Sequence, residues 1–245
     1  MSLNSHIKKL CDDSLNELFS KEYWEKIDKR KKNKDNHEPL YSDLDARIAY
    51  IVHSITIRSG IILENLYFEA VKMCCPHLEV WGEKKFKISR HAMMMASDQD
   101  NKDILETECP YGEAVEIKNR AKTRQVDLLT YDKEKKLICS YEIKRGGGHH
   151  DSEKQEKILE NLFAVRMLLK SYGQSRDLEV NKARSYIISH MNSELFSPDY
   201  RFFQINGNEV NEHFKSNVIG SLTEGYDYFN NTFKKRFNAL KKLAN

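Results

Sequence analysis

The sequence predicts an α/β protein: a mixed sheet with a crossover helix, carrying helical additions at both ends. Three observations lead there. Apolar residues recur at helical spacing over residues 5–26, 42–75 and 221–243. The period changes to two over 125–131 and 136–144. An amphipathic helix and a short apolar strand, 185-SYIIS-189, then follow. A β-β-α-β order of this kind joins an antiparallel hairpin to a parallel strand through a helix.

Taken in order, Ile7, Leu10, Leu15, Leu18, Phe19 and Trp24 mark the apolar stripe of a first helix. The run 28-DKRKKNKDNHEP-39 reads as a solvated loop, with a DNA-contacting arm as the alternative. From Ser42 the pattern is helical, with Ile48, Ile51, Val52 and Ile55 on one face, and Gly60 is expected to interrupt it. A second helix, with Ile61, Leu63, Leu66, Tyr67 and Val71 apolar, stops at Pro76. Between 77 and 123 the pattern is weak. Residues 78–88 or 114–118 are the choices for a first core strand, and 93-MMM-95 reads as core filling. The two period-two strands meet at a polar turn, 132-DKEK-135. Ser152 with Gln155 forms a capping-box pattern ahead of the apolar face Ile158, Leu159, Leu162, Phe163, Val165 and Leu169. The organisation expected is a helical region over 1–57, a core over 58–190 and a C-terminal helical extension over 191–245, packed as one domain.

With 245 residues, 40% apolar and 31% charged, the chain can bury a core and lacks the composition of a disordered one. A net charge of +3 is too small to argue for a nucleic-acid partner, so only local clustering of Lys and Arg can do so. The five cysteines lack a C-x-x-C pair or Cys/His zinc spacing, which suits reduced thiols in a cytosol. No apolar run approaches the roughly 20 residues that cross a bilayer, and the N-terminus has no signal-peptide core; a cytoplasmic protein without membrane contact is expected.

The chemistry concentrates in 124-RQVDLLTYDKEKKLICSYEIKRGGGHH-150. Alternation puts Glu142 and Lys144 on one strand face. With a four-residue turn at 132–135, Tyr131 pairs with Lys136 and Asp127 stands opposite Ser140, on the face of Glu142 and Lys144. Two carboxylates about 7 to 8 Å apart by α-carbon can hold one hard cation between them. A turn one residue longer or shorter would send Asp127 to the other face. Two carboxylates and a lysine suit metal-assisted phosphodiester hydrolysis. Mg²⁺ is the cofactor expected, with Mn²⁺ as substitute, and the backbone carbonyl of Ile143 offers a further oxygen ligand.

The set Asp127, Glu142-Ile143-Lys144 on a hairpin, with Glu64 on a preceding helix and a helix and strand following, resembles the PD-(D/E)XK nuclease superfamily over residues 58 to 190. The resemblance implies a restriction-endonuclease-like α-β-β-β-α-β core with its site at one sheet edge. It also implies Asp127 and Glu142 as metal ligands, Lys144 as catalytic lysine and Glu64 as auxiliary acid. Val126 stands where the family's naming proline would be. A rival triplet, Glu116-Ile117-Lys118, has only Asp103 upstream, on no apolar strand.

Lys118, Arg120, Lys122 and Arg124 share one face if extended, and Arg145 leaves the next strand; they are candidate phosphate contacts, or a charged edge strand. Gln155 is a candidate for orienting Lys144 or a water, and His149 or His150 for contacting phosphate from the glycine loop, although capping explains Gln155 adequately and an exposed loop is the plainer account of the histidines. The function expected is a Mg²⁺-dependent endodeoxyribonuclease of the type II restriction kind, working on double-stranded DNA as a homodimer. A structure- or end-specific repair or phage-defence nuclease, or a non-catalytic DNA-binding protein on the same fold, are the alternatives.

Overall fold

The computed structural model describes residues 5–23, 25, 43–97, 106–112, 116–117, 120–121, 123–146 and 152–244. The charge run 28–39, Lys118, Lys122, His149 and His150 lie outside the described residues. The chain divides into two compact units, Met1–Leu66 with Gly220–Asn245, and Tyr67–Ile219. The expected C-terminal extension is therefore shared between them, its first part joining the sheet.

Helices build the first unit. Helix α1 (Ser5–Leu18) buries Ile7, Cys11, Leu15 and Leu18, a stripe at helical spacing. The long α2 (Asp43–Cys74) contributes Ile62, Leu63 and Leu66, and α6 (Val218–Ala244) contributes Leu222 and Phe229. These helices meet at Gly225, where an added Cβ would stand 2.6 Å from Leu66 Cδ2 and 2.9 Å from Ile7 Cγ2. Only glycine permits that approach. Tyr228 donates to Asp12 at 2.8 Å, and Arg58 pairs with Glu17 at 2.9 Å.

Helix α2 is continuous through Gly60, contrary to the expected break. A glycine costs a helix interior about 1 kcal/mol, which burial of the neighbouring Ser59, Ile62 and Leu63 offsets. Val52 and Ile61, assigned by spacing to apolar faces, are 48% and 49% exposed. Both crossings between the units fall inside helices, at Leu66–Tyr67 in α2 and Ile219–Gly220 in α6.

The second unit is α/β, with a five-stranded mixed sheet ordered β1-β4-β5-β6-β7. Its strands are β1 (Leu78–Lys87), β4 (Thr123–Asp132), β5 (Leu137–Lys144), β6 (Lys182–Ser189) and β7 (Gln204–Asn206). The pairs β1/β4 and β4/β5 are antiparallel, whereas β5/β6 and β6/β7 are parallel. The first core strand is thus 78–87. Residues 116–117 instead pair with 120–121 in a separate hairpin, β2 (Glu116–Ile117) and β3 (Arg120–Ala121).

Helix α4 (Ser152–Gln174) is the crossover between β5 and β6, and its apolar face packs with Val126, Leu129, Tyr131, Ile138 and Ile187 in the main core. Helix α3 (Arg90–Ser97) adds Ala92 and Ala96. Of the methionine triplet, Met93 and Met95 pack against this core while Met94 is 62% exposed, because one helix cannot aim three consecutive residues inward. On the other sheet face, Tyr141 meets His213 and Phe214 of α5 (Val210–Phe214), with ring centroids 5.7 Å and 5.3 Å away. No described helix is long and apolar enough to cross a membrane.

Candidate active site

The hairpin turns at residues 133–136, one residue later than the spacing suggests. Asp132 belongs to the strand and pairs with Leu137, while its carboxylate accepts the backbone N–H of Lys135 at 3.0 Å. A side chain that caps the turn in this way sets where the strand ends. Tyr131 consequently pairs with Ile138 rather than Lys136, and Leu129 rather than Asp127 stands opposite Ser140. The slip is two residues, so parity is preserved.

One step beyond the last ladder pair, Leu128 with Tyr141, stand Asp127 and Glu142. Here β4 also bulges, since the two-residue step from Trp81 to Glu83 in β1 spans the three-residue step from Leu129 to Val126. A bulge re-aims side chains and interrupts pairing. Val126 and Leu129 therefore both enter the same core, and the Asp127 carboxylate replaces a backbone partner: its Oδ2 accepts the N–H of Ile143 at 2.9 Å. Gln125 donates to Oδ1 at 3.2 Å.

Burial pushes the Asp127 carboxyl above the ordinary carboxylate range; the charge of Glu142 adds to the rise, while the Ile143 N–H and Lys144 oppose it. Lys144, the last residue of β5, places Nζ 2.6 Å from Glu142 Oε1, with both side chains half-buried. Asp127, Glu142 and Lys144 are thus brought together at one end of the hairpin. The Lys144 carbonyl faces β6, accepting the N–H of His190 at 2.9 Å. Ile143, whose N–H meets Asp127, opens its carbonyl towards β4, because alternate strand residues address opposite neighbours. Two carboxylates and that carbonyl are hard oxygen donors, a set that fits Mg²⁺ with waters completing its shell. Among the described residues no group of three or more His, Cys, Asp or Glu forms a metal cluster, so any cation here would rest on the pair.

Glu64 is half-buried on α2 in the first unit, whereas the hairpin belongs to the second. Arg120 begins β3 and Arg124 lies in β4. Arg145 is exposed just past β5, and Gln155 is half-buried in the first turn of α4. That helix begins at Ser152, and the preceding residue falls outside the described residues.

Arg124 turns inward. Burial lowers its pKa, the carboxylates facing it are Glu142 and Glu160, and its Nε is buried without a hydrogen-bond partner among the described residues. Across from it on α4 is Asn161, 6% exposed, whose Oδ1 is likewise unpartnered. Sequence reasoning passed over Asn161, though the signal was present: an amide one turn from Ile158 and Val165 interrupts an apolar face. No family model, no curated protein and no solved structure matches the chain.

Proposed function

We propose that the protein is a Mg²⁺-dependent endodeoxyribonuclease on a restriction-endonuclease-like core, most simply of the type II restriction kind. The observation that carries this is the meeting of Asp127, Glu142 and Lys144 where β4 and β5 separate. The core order expected from sequence has counterparts in α2, β1, β4, β5, α4 and β6, which supports the same reading.

Asp127, Glu142 and the Ile143 carbonyl would hold the cation, which when bound supplies a Lewis acid for the phosphate and lowers the pKa of water. Asp127 is positioned by the Ile143 N–H, so its second oxygen keeps a fixed direction. Lys144 is held beside the site by Glu142. Once released from that carboxylate it can orient a water or offset charge on the phosphate oxygens. A homodimer would bring two such sites to the two strands of a two-fold DNA sequence, and sedimentation with and without DNA tests this.

The deciding experiment incubates genomic and plasmid DNA with Mg²⁺, beside EDTA controls and folded Asp127→Ala and Lys144→Ala proteins. Discrete fragments from the parent alone are expected. A smear favours a structure- or end-directed nuclease, and binding without cutting, or equal cutting by both variants, overturns the assignment.

A further inference from the structure

We propose that Asn161 is a positioning residue: with Arg124 it seats one ordered water against Glu142 and holds that carboxylate in place for the cation. This deepens the nuclease reading and rests on it.

Asn161 Oδ1 and Arg124 Nε are buried polar atoms without partners among the described residues, and both residues line one recess together with Ser140, Glu142, Leu162 and Val165. An unsatisfied buried polar group costs about 1 to 3 kcal/mol, so two in one recess call for a shared partner. The size of the recess selects that partner. At about 20 Å³ it exceeds the roughly 10 to 15 Å³ that one water needs.

The chemistry of the lining is complementary to water. Arg124 Nε–H donates, Asn161 Oδ1 accepts, and Glu142 accepts a second proton, which gives the water three partners. Ser140 already shares one hydrogen bond with Ser185, at 2.7 Å. Glu142 Oε1 is meanwhile held by Lys144 on the outer side. The charged groups around the carboxylate are thus Lys144 on its own strand, Asp127 and Arg124 on β4, and, facing Arg124, Glu160. When Lys144 turns to substrate, the inner water is what keeps Glu142 from rotating.

The test uses the full chain in two arms. In the first, a crystal structure fine enough to show waters is expected to place one between Asn161 Oδ1, Arg124 Nε and Glu142; a recess without it overturns the site. In the second, Mn²⁺ binding without DNA is followed by electron paramagnetic resonance. Asn161→Leu, of similar volume, is expected to weaken binding about tenfold while leaving thermal stability equal or higher. Asn161→Ala serves as the second variant should the leucine misfold. Unchanged Mn²⁺ affinity in a folded variant overturns the positioning role. A parent that binds no Mn²⁺ overturns the metal reading of Asp127 and Glu142, and the positioning role with it, while the crystal structure still decides the water site.

Discussion

The carboxylate of Asp127 accepts the backbone N–H of Ile143 at 2.9 Å, taking the place of a ladder hydrogen bond at the point where β4 and β5 part. One side chain therefore serves both the fold and the candidate chemistry, and two substitutions separate the roles. Asp127→Asn keeps an acceptor for the Ile143 N–H and removes the charge. Its stability should stay within about 0.5 kcal/mol of the parent, with cleavage lost. Asp127→Ala should lose cleavage and also about 1 to 3 kcal/mol, since a buried N–H is left unpaired. Urea denaturation of both, beside a plasmid assay, checks this; equal stability of the two would show that the bond is not structural.

Lys144 should prove dispensable for folding. Its pair with Glu142 leaves the side chains 37% and 28% exposed, and such pairs contribute about 0 to 1 kcal/mol. Lys144→Met is expected to melt within a few degrees of the parent while DNA cleavage falls at least about a hundredfold. Full activity in that variant would remove Lys144 from the mechanism.

Just after the site, Gly146 has φ +80, and an added Cβ would stand 3.0 Å from Ser193 Oγ and 3.1 Å from Ser189 Oγ. Gly146→Ala meets both backbone strain and crowding and should cost about 1 to 3 kcal/mol. Chemical denaturation reads the cost directly; an unchanged midpoint would mean the loop rearranges freely.

Acid should destabilise the sheet unit through His213. Burial, with Arg184 adding to it, lowers the His213 pKa from 6.5 to about 4, and Tyr141 Oη lies 3.1 Å from its Nε2. The unfolded chain takes up this proton from pH 6.5 downward, whereas the folded chain resists until about pH 4. Stability is complete above pH 6.5 and falls across that window by on the order of 2 to 3 kcal/mol. His213→Gln should flatten this part of the profile in urea melts at stepped pH. The same slope in parent and variant would assign the acid sensitivity elsewhere.

Much of the sheet unit was legible because its signals are local. Alternation at Asp127, Glu142 and Lys144 survives a two-residue error in register, since only an odd slip exchanges faces. The actual register depended on Asp132 capping Lys135, a contact that composition does not announce. Gly60 misled because tertiary burial outweighs helix propensity, and the bulge beside Asp127 left no mark in the hydrophobic pattern. Asn161 and Arg124 were hidden for another reason: whether a polar side chain on an apolar face finds a partner is a property of packing, not of spacing.

The two helical crossings between the units bear on how this protein could be dissected. A protease needs several residues of extended backbone in its cleft, and the chain passes Leu66–Tyr67 and Ile219–Gly220 in helical form. Limited digestion should not release the sheet unit at those points, and a gene fragment encoding it would open with the severed end of one helix and close with that of another. Excising the unit amounts to cutting two rods.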